Sequence, residues 1–110
     1  MVKTYTDRWN GFQFREPVYL DGRKDKYHFD LVKWKNYTTP MEVIDAYSGK
    51  KVMMNEYCFS IGTLIWNLKE EAFEFKSCGL RYLEHRIDGL EKFIIEFALM
   101  MEEEFLDEED

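Results

Sequence analysis

The chain has 110 residues, 45% of them apolar and 17% aromatic, and a formal net charge of −7. That length suits one domain around one core, and so large an aromatic share argues against a disordered chain, because each buried ring removes much surface from water. The charge is uneven: seven of the 22 acids fall within residues 102–110, where there is no base, leaving 15 acids against 15 bases in residues 1–101. Phosphate binding draws on clustered basic residues, and Arg8, Arg15, Arg23, Lys24, Lys26, Lys33 and Lys35 are interleaved with acids, so no nucleic acid is expected as a partner. A mimic of nucleic acid is not expected either, since its carboxylates would be spread over a surface rather than gathered at one end.

The opening MVKTYTDRWNGF has no apolar core of a cleavable signal, and the longest near-apolar run, FIIEFALMM, is short and contains Glu96. A cytoplasmic protein with no membrane association is expected. Turn signals follow at Asn10-Gly11 and Asp21-Gly22, with Phe12 and Phe14 facing one way between them and Pro17 and Pro40 marking element ends. KYHFDLVKW reads as a central strand, with Tyr27, Phe29 and Leu31 on one face and His28, Asp30, Val32 and Trp34 on the other.

In EVIDAYSGKKVMM, Ser48-Gly49 is placed as a tight hairpin turn with Tyr47 opposite Lys50, which sets Val43 opposite Met54. A second hairpin is expected in EYCFSIGTLIWNLKEEAFEFKS. Strict alternation puts Tyr57, Phe59, Ile61, Thr63 and Ile65 on a core face with Phe73 and Phe75, and leaves Cys58, Ser60, Gly62, Leu64, Trp66, Glu74 and Lys76 on the reverse. CGLRYLEHRI fits neither period cleanly and is read as a strand bulged at Gly79.

DGLE offers Asp88 as an N-cap three residues before Glu91, opening a helix over 89–105. On a helical wheel, Leu90, Phe93, Ile94, Phe97, Ala98, Met100, Met101 and Phe105 form one apolar stripe that should pack on the sheet. Ile95 and Leu99, with Leu106 if the helix runs on, form a second strip. Either a partner covers that strip or the N-terminal Trp9, Phe12 and Phe14 do. The fold class expected is α+β: a mostly antiparallel sheet built from hairpins, with a long C-terminal helix on one face. Residues 1–106 are taken as one domain and 107–110 as an acidic end.

Catalytic material is sparse. His28 and Asp30 share a strand face, as a carboxylate orienting an imidazole base would, or as a plain polar pair. Glu84, His85 and Arg86 adjoin one another. Cys58 and Cys78 lack metal-ligand spacing and are expected as thiols. The aromatic set Tyr57, Phe59, Phe73 and Phe75 resembles a base-stacking platform but reads better as core under the helix. The acidic run has no hinge for calcium, and Glu102, Glu103 and Glu104 stand at the negative end of the helix dipole. No metal and no cofactor are expected.

These features favour a non-enzymatic cytoplasmic protein-binding domain, of an inhibitor or immunity type, whose partner is another protein or a second copy of the chain. Its contacts are expected at Ile95, Leu99 and Leu106, with Glu102 and Glu103 beside them. The alternatives are a small enzyme or ligand-binding protein using His, Cys or Asp residues in a pocket, and a homo-oligomeric structural protein.

Overall fold

The computed structural model describes residues 7–15, 28–67 and 69–107, without the side chains of 105–107. The fold is α+β, with four antiparallel strands and two helices. The strands are β1 (Phe12–Arg15), β2 (His28–Ile44), β3 (Lys51–Asn67) and β4 (Ala72–Ser77), followed by α1 (Leu80–His85) and α2 (Leu90–Asp107). The sheet order β1-β2-β3-β4 is a meander in which each strand pairs with its neighbour in sequence. The expected turn at Asp21-Gly22, the element end at Pro17 and the place of Tyr27 lie outside the described residues.

Asn10 and Gly11 take positive φ values of 50° and 82°, and Trp9 and Phe12 exchange two backbone hydrogen bonds of 2.8 Å around them. That is the geometry an Asn-Gly pair is suited to, a two-residue turn that matches the twist of the strands it joins. It delivers Phe12 and Phe14 to the core, both fully buried.

Along β3 strict alternation fails. Leu31 pairs with Gly62 and Val32 with Ser60, so Ile61 is an extra residue in the ladder, a β-bulge that reverses the faces beyond it. Leu64 and Trp66, expected on the reverse, therefore join Ile61 in the core, opposite Phe75 and Phe73 of β4. Thr63 and Ile65, expected in the core, pair with Asp30 and His28 on the other face.

Three further expectations are corrected. The β2–β3 turn is longer than a Tyr47–Lys50 pairing allows: Ile44 pairs with Lys51 and Val43 with Val52, and the Asp45 N–H donates to the Lys50 carbonyl. Pro40 lies inside β2 rather than at its end, within a pairing gap between Asn36 and Met41 where its missing N–H leaves no ladder bond unmade. Residues 80–85 form a helix, not a bulged strand; Gly79, at φ 56°, turns the chain and only Tyr82 of α1 is buried.

The helix expected over 89–105 is α2, Leu90–Asp107. Gly89, not Asp88, occupies its capping position, with φ 91° and a carbonyl that accepts from the Phe93 N–H. From the expected stripe Leu90, Ile94, Phe97 and Met101 are buried. Phe97 stacks on Phe14 at 4.1 Å and meets Phe29 edge-on at 5.4 Å, while Phe93 stacks on Trp9 at 5.3 Å. These contacts step from Trp9 to Phe29 as the helix advances, so α2 carries its acidic end away from the β2–β3 turn.

Candidate functional site

β1 pairs with β2 only as far as Phe12 and Lys33, and β4 reaches β3 only from Gly62 onward. Beyond these limits β2 and β3 are, among the described residues, a two-stranded arm. Its β3 side, Lys51–Cys58, spans about 25 Å at the usual rise per strand residue. Directly opposed residues share a face, and the pairs Met41–Met54 and Val43–Val52 make the outer part of one arm face apolar, with the polar pair Asn36–Glu56 next along it toward the root. Met41, Val52 and Met54 are exposed there. The other face is mixed: Ile44, 70% exposed, and Met53, 59% exposed, stand beside a 3.7 Å ion pair of Lys51 with Glu42.

At the root of the arm a recess of about 450 Å³ has Phe59 and Tyr57 as its floor and Lys35, Arg81, His85 and Glu84 on its rim. The Lys35 ammonium and the Arg81 guanidinium stand 5.9 Å and 6.0 Å from the Phe59 ring centre, and the His85 ring meets Phe59 edge-on at 4.8 Å. Tyr57 lies 6.3 Å from Phe59 and 4.8 Å from Tyr37, so the rings continue along the arm. His85 Nδ1 lies 2.8 Å from the Arg81 carbonyl oxygen, which can only accept, so Nδ1 carries the proton and Nε2 is the remaining ring nitrogen. Nearby, burial first and the positive charge of Lys35 second push the Lys33 ammonium below its ordinary pKa. Lys33 Nζ donates to the Asn10 carbonyl at 2.7 Å and lies over Phe12.

On the opposite face Trp34 is clamped. Arg8 lies over its ring at 4.0 Å, its indole N–H donates to Gln13 Oε1 at 2.8 Å, and Arg8 makes a two-pronged pair with Glu56 at 2.8 and 3.0 Å. The hydrogen bonds from Arg8 hold the Glu56 carboxyl below its ordinary pKa. Arg15 Nη1 approaches Cys58 Sγ at 3.4 Å.

The residues proposed from sequence fall in separate places. Ile95 and Leu99 are 57% and 60% exposed, and Trp9, Phe12 and Phe14 pack in the core with Phe93 and Phe97 rather than over them. Glu103 is exposed and Glu102 half-buried, while the Leu106 side chain lies outside the described set. His28 and Asp30 share a face, and Asp30 Oδ1 accepts from the Thr63 hydroxyl at 3.1 Å. Arg86 pairs with Glu91 at 3.2 Å. Cys58 and Cys78 are free thiols. Among the described residues no three His, Cys, Asp or Glu side chains gather as a metal site, and no helix is long and apolar enough to cross a membrane.

Reading the sequence did not pick out the apolar arm face or the recess. The signal for the first was partial, since Ile44 and Met53 interrupt the alternation of Met41, Val43, Val52 and Met54 with polar neighbours. The recess depends on α1, whose residues fit neither period cleanly and are read from the sequence as a bulged strand. Tyr57 and Phe59 were expected beneath the helix; Phe59 packs only at the margin of the core and Tyr57 stacks on Tyr37 instead. Compared with protein families, curated proteins and solved structures, the chain matches none.

Proposed function

We propose that this protein is a non-enzymatic, cytoplasmic protein-binding domain that engages its partner through the β2–β3 arm, in the manner of an inhibitor that occludes another protein. The observation that carries this reading is the apolar arm face of Met41, Val43, Val52 and Met54, which no other described strand or helix packs against. Contiguous apolar surface held in water is costly and is characteristic of contact sites. Methionines suit such a site because their unbranched thioether side chains adapt to a partner's contours. Among the described residues no further strand pairs along either edge of the arm, and a partner strand can use such edges. Ile95 and Leu99 supply a second, smaller apolar strip. The free thiols of Cys58 and Cys78 fit a reducing compartment.

Capture from a native lysate with wild type, Met41→Lys/Val52→Lys and Ile95→Glu/Leu99→Glu tests the reading. A partner held by wild type and by the helix variant, and lost from the arm variant at unchanged melting temperature, is the expected result. An identical set of captured proteins from all three chains would refute it.

A further inference from the structure

The recess at the root of the arm brings together two features that ask for different parts of one ligand. Its floor is aromatic and only half buried, unlike the rings of Phe12, Phe14 and Phe29, which the core consumes. Its rim carries Lys35 and Arg81, and among the described residues neither has a carboxylate within ion-pair distance. Arg81 Nη1 donates to the neutral Ser60 carbonyl at 3.2 Å, and both cations stand near the edge of cation–π range of Phe59, so neither charge is neutralised and a phosphate readily outcompetes these contacts.

We propose that this recess binds a nucleotide unit, its base lying against Phe59 and Tyr57 and its phosphate held between Lys35 and Arg81. An aliphatic anion would leave the rings unused, and an uncharged aromatic would leave the two cations unpaired. The recess is shallow and open to solvent, so it offers one aromatic face for a base and a rim for its phosphate rather than an enclosing cavity. His85 Nε2 is the ring nitrogen left for the ligand, because Nδ1 is committed to the Arg81 carbonyl. Glu84, the one acid on the rim, can only accept, which suits the exocyclic amino group of adenine. The net charge of −7 does not oppose this locally, since seven carboxylates belong to residues 102–110 and α2 runs away from the arm. The same base-and-phosphate chemistry is offered by a free nucleotide and by a single strand, whose next base would reach the Tyr57–Tyr37 pair at 4.8 Å.

Titration of the full chain with adenosine monophosphate and with a short single-stranded oligo-deoxyadenylate, followed by calorimetry, tests the proposal. Binding of either is expected to weaken roughly 5- to 150-fold in Phe59→Leu, the range for losing one stacked base. Lys35→Glu/Arg81→Glu alters only exposed rim side chains and tests the same site should Phe59→Leu fail to fold. In this variant the strand's affinity is expected to lose about 0.7 of its log–log salt slope per phosphate contact removed. Binding of the mononucleotide identifies a free-nucleotide site, and binding of the strand alone identifies a nucleic-acid one. No heat with either ligand up to millimolar concentration, or binding unchanged in both variants, overturns the proposal.

Discussion

Replacing Gly62 by alanine isolates the packing at the β3 bulge. In an ordinary strand this change is helpful, because it removes backbone freedom from the unfolded chain and stabilises by about 0.4–1 kcal/mol. Here a methyl carbon on Gly62 would sit 2.3 Å from Cζ of Phe75, 2.8 Å from Cε1 and 3.1 Å from the Lys76 carbonyl oxygen. Carbon atoms rest at about 3.5–4.0 Å, so the ring must retreat by more than about 1 Å. Phe75 also packs near the buried Tyr82, 5.7 Å away, and the Lys76 carbonyl is fixed by β3–β4 pairing. Overpacking of this kind costs about 1–3 kcal/mol. For 110 residues the unfolding entropy is about 230 cal/mol/K, so a loss of about 2 kcal/mol lowers the melting temperature by about 9 °C. The assay is thermal and urea unfolding of Gly62→Ala, Phe75→Leu and the double variant. With the ring gone, the alanine should cost less than about 1 kcal/mol, giving a coupling of at least 1 kcal/mol. An alanine cost that is the same in both backgrounds, or a stabilised single variant, would refute the placement of Gly62 against Phe75.

Charging the arm should be nearly free in stability: Met41→Lys/Val52→Lys alters exposed positions and is expected to move unfolding free energy by no more than about 0.5 kcal/mol per site, read by urea denaturation. Glu56 should titrate below the ordinary carboxylate value of about 4.3 by carboxyl NMR shift, and return toward it in Arg8→Ala. Because its folded pKa is depressed, whatever stability the pair confers is present above that value and lost as pH falls through the folded pKa. Tyr82 runs the other way: burial first, and Glu91 second, raise its phenol pKa, so its share of stability is complete below about 10 and disappears as pH rises through the folded value. In an ultraviolet titration Tyr82→Phe should remove a tyrosine that ionises above the ordinary value. Light scattering on wild type and Ile95→Glu tests self-association through α2, for which a monomer in both cases would end that reading.

Much of the fold was legible because it rests on local rules. Asn10-Gly11 names its own turn, and the spacing of Leu90, Ile94, Phe97 and Met101 names its own helix. The register of the β2–β3 turn was displaced by two residues, and since side chains alternate with period two, Val43 and Met54 kept their face. What failed was whatever one extra residue decides. Ile61 exchanged the roles of Thr63 and Ile65 with those of Leu64 and Trp66. Glycine within a strand often marks such a place, and Gly62 stands beside it, yet a single sequence does not say which side of the glycine the extra residue occupies. The second failure, α1, followed from a segment with one buried side chain, Tyr82, too few to set a period. The recess was invisible for the same reason, as it needs α1 folded back beside Phe59.

The Trp9–Phe93 stack joins the two ends of the described chain, and it divides folding in time. Every strand pairing in the meander is between sequence neighbours and can form after closing a short or moderate loop. The Trp9–Phe93 contact must wait for the closure of more than eighty residues, an entropic cost that falls sharply once the sheet has already brought those ends together. The docking of α2 against Trp9 is therefore a late event. Substitutions there should act mainly on how fast the protein unfolds, whereas changes at the Ile61 bulge should slow its folding.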